Sequence, residues 1–124
     1  EAVARTKAFD ELKADPDRMR ATQEFMQREM EEAFSSGRWG AGEARRAGRT
    51  QEEWARQRST DFAAAAMRDP ESFDAIYNEM YRRGDAERRE KLRELNPTAA
   101  ALARSASSDI GIYSPRRQSC AMSS

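Results

Sequence analysis

Three prolines fix where helices of this chain can begin. Asp15-Pro16, Asp69-Pro70 and Asn96-Pro97 each set a short polar side chain directly before a proline. Proline has no N–H to donate and its φ is already near the helical value, so it suits the first helical position and disrupts later ones. The residue before it is held out of the helical region, and its side-chain oxygen can accept from the free amides of the first turn. Each pair is therefore a start signal, and a stop for whatever precedes it.

The most complete segment runs from Asp69 to Gly84. Phe73, Ile76, Tyr77, Met80 and Tyr81 recur at spacings of three and four, which makes one apolar stripe. Arg82 and Arg83 place positive charge in the last turn, where it complements the helix dipole, and Gly84 is expected to close the helix in the left-handed conformation. The segment from Asp15 follows the same pattern: Pro16, Asp17, Met19, Ala21, Met26 and Arg28 align with Pro70, Glu71, Phe73, Ala75, Met80 and Arg82. Duplication and convergence on one helix recipe both account for this. Met19, Met26, Met30, Ala33 and Phe34 line that second helix, which ends at Ser35-Ser36-Gly37. Methionine adapts to irregular surfaces, so this face suits either a partner groove or the chain's own helices. Helices that open with Asp-Pro and are lined with Met resemble helical modules of some co-chaperones, over less than a third of the chain; caps and composition alone assign no family.

Residues 1–13 read as a short helix with Val3, Phe9 and Leu12 as its apolar edge. Residues 35–49 hold four of the six glycines and read as a long exposed loop carrying Trp39, Arg38, Arg45, Arg46 and Arg49. Thr50-Gln51-Glu52-Glu53 is a capping box. It opens a helix with Trp54, Arg58, Phe62, Ala65 and Ala66 along one side, and Ala63–Ala66 offers a smooth surface for close helix approach. Asp85 caps a charged helix to Leu95, and Asn96-Pro97 opens another through Ala103. The expected organisation is a helical region over 1–104, with the loop at 35–49, and an extended Ser-rich tail over 105–124 anchored by Ile110, Ile112 and Tyr113.

Composition limits the function. Lys plus Arg and Asp plus Glu are 22 each, so no net field draws the chain to nucleic acid or an anionic membrane. Leu, Ile, Val and Phe total only 13 residues, which favours a loosely packed chain that borrows apolar surface from a partner. Histidine is absent and Cys120 is the sole cysteine, so His-based acid–base catalysis, Ser–His and Cys–His pairs and an internal disulfide have no candidates. The carboxylates alternate with arginines as surface pairs. No enzyme activity, metal or cofactor is expected. The excess of Arg over Lys fits bidentate recognition of carboxylate or phosphate, and genomic base composition equally.

The sequence thus points to an all-α chain of four to six short helices acting as a structural or accessory subunit of a larger protein assembly. The expected partner contacts are Met26, Met30, Trp39, Trp54, Phe73, Ile76, Tyr77, Ile110, Ile112 and Tyr113. One alternative is a nucleic-acid-associated subunit using Trp39 and the loop arginines, whose affinity would fall steeply with salt. The other is an assembly adaptor or chaperone, absent from the finished particle. An opening Glu1 in place of Met suits a processed organellar chain or a trimmed one, and a virion component fits the composition as well.

Overall fold

The computed structural model describes the backbone of residues 2–113 and the side chains of residues 2–105. Among these the chain is all-α, with seven helices and no strand: α1 (Ala2–Lys13), α2 (Pro16–Ser35), α3 (Glu43–Arg46), α4 (Gln51–Ala66), α5 (Pro70–Arg83), α6 (Ala86–Leu95) and α7 (Pro97–Tyr113). Each Asx-Pro pair opens a helix. Asp15 accepts from the Arg18 amide at 3.2 Å, Asp69 from Ser72 at 2.8 Å and Asn96 from Ala99 at 3.0 Å. The Thr50 box closes both ways: the Glu53 amide donates to Thr50 Oγ1 at 3.1 Å, and the Thr50 amide to Glu53 Oε1 at 3.3 Å. Asp85 caps α6 through the Arg88 amide at 2.9 Å.

The helices form two groups that meet at α5. The most extensive packing is between α2 and α4. They run antiparallel, since Gln27 of α2 donates to Thr60 Oγ1 at 3.0 Å while Gln51 of α4 donates to the Phe34 carbonyl at 2.7 Å. In the second group α1, α5 and α7 pack mutually, with Phe9 and Phe73 rings 6.2 Å apart. Helix α5 also touches α4 and α6, which makes it the hub of the fold.

Seven helices exceed the four to six expected, because the 35–49 region adds α3, and four further readings of the sequence need correcting. The face that α4 buries is Ala55, Ser59, Ala63 and Ala66, with Trp54 at its start, whereas Arg58 and Phe62 are exposed. A row of small side chains lets the α2 backbone come close, and that outweighs burying the larger stripe. Nine core positions among the described residues are alanine, which is how so few large aliphatic residues close a core. The region 35–49 is also more ordered than an open loop. It contains α3, buries Ala44, and is pinned by the Trp39 amide donating to the Ala33 carbonyl (3.1 Å) and the Arg49 amide to that of Ala44 (3.0 Å).

Gly84 is the third correction. Its φ of −83° and ψ of 156° are extended, not left-handed. Glycine suits it because an added Cβ would lie 3.0 Å from the Met80 carbonyl oxygen and 3.3 Å from Arg88 Cβ, where α5 turns directly into α6. The fourth concerns the tail. Helix α7 continues past Arg104 to Tyr113, with no further proline until Pro115. The side chains of Ile110, Ile112 and Tyr113, and all of residues 114–124, lie outside the described residues.

Acidic groups that hold these helices make stability depend on pH. Asp69 lies below its ordinary pKa of 3.8, chiefly because the Ser72 amide donates to it, and Asp85 likewise because of the Arg88 amide. Glu79 lies below 4.5, first through the hydrogen bond from Arg82 and then through the charge of Arg83. A carboxyl whose folded pKa is depressed stabilises the fold above its unfolded value and ceases to do so as pH falls through the folded one. The thermal midpoint should thus hold roughly steady between about pH 7 and 5 and fall below about pH 4.5. Melts across that series check this; a midpoint that rises on acidification would contradict it.

Candidate functional site

Where α2 ends, the chain builds an aromatic cluster around Phe34. Its ring lies 5.1 Å from Trp54 and 5.7 Å from Trp39, both edge-on, and 6.1 Å from Phe62, stacked. Trp39 reaches it because α2 closes through Gly37, whose φ of +81° turns the chain back, and because the Trp39 amide is tied to Ala33. Gly40 follows with φ +64°, and a Cβ there would lie 2.8 Å from Trp54 Cη2.

Beside this cluster a cleft of about 450 Å³ opens between α2, the residues after it, α4 and α5. Met30, Phe34 and Met80 form its buried floor. Trp39, Phe62 and Ile76 are the large apolar side chains that reach solvent along its walls, with Phe62 36% exposed. Two arginines stand over the rings: Arg83 is 5.2 Å from the Trp39 centroid, and Arg58 is 5.6 Å from Phe62 and 6.0 Å from Trp54. Arg38 also lies over Trp39, at 5.7 Å. Guanidinium groups favour ring faces because the ring quadrupole attracts them, and their planes pack flat. The acidic partners at the cleft are Glu79, shared by Arg82 and Arg83 at 2.5 Å each, and Glu43, 3.9 Å from Arg58.

The side chains expected to meet partners divide three ways. Met26, Phe73 and Tyr77 are 0–1% exposed, and Trp54 is 7% exposed, so these four are spent on the chain's own core and are not available to a partner. Met30 is also buried, at 2%, yet lines the floor of the cleft. Trp39 and Ile76 are brought together at the cleft although they are far apart in sequence. Phe62, Arg58 and Arg83 line the cleft and were not among the expected contacts. Phe62 and Arg58 read only as part of a stripe along one side of α4, and Arg83 as a complement to the helix dipole. The available signal was the competing row Ala55, Ser59, Ala63 and Ala66 on another side of the same helix.

The geometry around Gly40 can be tested by substitution. Gly40→Ala combines a left-handed backbone with a close approach to a packed tryptophan, and should destabilise the chain by about 2–3 kcal/mol. Gly48→Ala meets the same backbone cost at φ +72° with nothing within 4 Å. It should cost about 1–2 kcal/mol. Urea unfolding of the two variants gives the comparison; equal losses would mean that Gly40 does not sit against Trp54.

Compared with family models, curated proteins and solved structures, the chain matches none. No described helix is long and apolar enough to cross a membrane.

Proposed function

We propose that this chain is a non-catalytic accessory subunit that bridges or stabilises a larger protein assembly. One observation carries this reading: along a cleft whose floor is already packed, Phe62 is exposed and Trp39 and Ile76 are only partly buried. Protein interfaces concentrate aromatic and arginine side chains at their energetic centres, and this cleft has that composition. It also weighs against the nucleic-acid alternative. Arg38 and Arg83 both lie over the Trp39 ring, so it is less open to a stacked base than a free loop tryptophan would be.

The test is the size of the native particle. The tagged chain, expressed in the cells that encode it, should sediment well above a single chain and stay there after nuclease treatment and in high salt. A monomeric profile would contradict the proposal. Release by nuclease or by salt would instead favour the nucleic-acid reading.

A further inference from the structure

Between α2 and α4 the backbone hydrogen bonds divide into separate sets. The amides of Ser36, Gly37 and Trp39 donate back to Glu32, Phe34 and Ala33 of α2. Those of Glu43, Arg46, Ala47, Gly48 and Arg49 all end within the stretch itself, on Gly40, Gly42, Glu43, Arg45 and Ala44 in turn. From Thr50 onward the bonds belong to α4. The base of this excursion is closed without it, because Gln51 of α4 donates directly to the Phe34 carbonyl at 2.7 Å. Residues 40–49 are therefore a compact loop, folded on itself between two fixed ends. What holds it down is slight. Ala44 is its only buried side chain, and α3 packs on α4 alone. Glu43 reaches Arg58 at 3.9 Å and Arg49 bonds Gln57, both on the exposed surface. Gly40 and Gly48, near the two ends, have φ of +64° and +72°, where glycine turns without steric cost. Gly40 and Glu43 also line the cleft, and Gly40 lies over Trp54.

We propose that residues 40–49 are a hinged flap, which swings off α4 as one body and widens the cleft toward Trp54. The motion keeps every backbone bond named above. It uncovers little apolar surface, so its free energy lies well below that of global unfolding. The closed form dominates, and opening needs no partner.

Thiol labelling tests this in a Cys120→Ser background, which removes the only native cysteine. Ala44→Cys places a thiol under the flap and Ser59→Cys places one on the buried face of α4, at positions 2% and 0% exposed. Each variant is first checked for an unchanged far-ultraviolet circular dichroism spectrum. An aromatic disulfide in excess should label Ala44→Cys at least about a hundredfold faster than Ser59→Cys. The faster rate should hardly change up to about 1 M urea, whereas that of Ser59→Cys should climb with the slope of global unfolding. Equal rates or a common urea slope would overturn the proposal. Labelling of Ala44→Cys as fast as in the denatured chain would overturn it too, since no closed form would then exist. Trypsin gives a second reading on the unaltered chain, should a thiol variant fail to fold. Its first cut within residues 2–104 should fall after Arg45, Arg46 or Arg49, which are exposed on the flap. A first cut after any other of these residues would sink the flap.

Discussion

Phe73→Ala is expected to lower the unfolding free energy by about 3–5 kcal/mol, the usual loss when a fully buried aromatic leaves a cavity. Phe73 is 1% exposed, 6.2 Å from Phe9 of α1 and 5.6 Å from Tyr77 one turn along α5. It therefore sits where the three-helix group meets its hub, and neither α1 nor α5 can collapse into the gap without moving the other. Urea unfolding followed by circular dichroism measures the effect. A loss below about 1 kcal/mol would mean that α1 is not packed on α5 as described.

A second large effect belongs to a polar residue. Asn96 is fully buried: its Nδ2 donates to the Ala8 carbonyl at 2.9 Å while its Oδ1 accepts from the Ala99 amide at 3.0 Å. The same junction takes the Tyr77 hydroxyl, which donates to the Leu92 carbonyl at 2.5 Å with the Asn96 carbonyl oxygen 3.2 Å away. Burial, followed by the neighbouring Tyr81, pushes loss of the Tyr77 proton far above its ordinary 10.0, so that hydroxyl remains a donor throughout the working pH range. Asn96→Ala removes a helix cap, leaving the buried Ala99 amide without its acceptor, and takes away the side-chain bond to the Ala8 carbonyl, for an expected loss of about 2–4 kcal/mol. Asn96→Asp separates the two roles. Aspartate caps helices as well as asparagine does but has no amide to offer Ala8. It should fail to restore stability, and full rescue would reduce Asn96 to a simple cap.

This residue also marks the limit of what the sequence discloses. Asn96-Pro97 is legible as a helix start because capping is local chemistry, and Asp15, Thr50, Asp69 and Asp85 are legible for the same reason. The all-helical character follows from those signals and the 3.6-residue periodicity. The contact between Asn96 and Ala8, 88 residues apart, has no local signature. Nor does the choice of face on α4, where two periodic stripes compete and the winner depends on how closely α2 approaches. Gly84 shows a third kind of limit: glycine tolerates both positive φ and close approach, and only the neighbouring turn of α6 selects the second. The cleft escapes a sequence reading because Trp39, Phe62 and Ile76 lie on three segments that meet only after folding.

The expectation of a core completed by a partner changes accordingly. Small alanines bring the helices together, methionines fill the irregular space, and the described side chains enclose their own core. The central claim is then a fold formed before any partner arrives, with the cleft beside Phe34 proposed as its docking surface. Thermal unfolding of the isolated chain, followed by far-ultraviolet circular dichroism and by tryptophan fluorescence, tests it most directly. Trp54 reports the core and Trp39 the cleft, so a preformed fold predicts one cooperative transition with coincident midpoints by both probes. A gradual loss of helicity, with both tryptophans already in an unfolded environment at room temperature, would contradict the claim and return the chain to folding only on its partner.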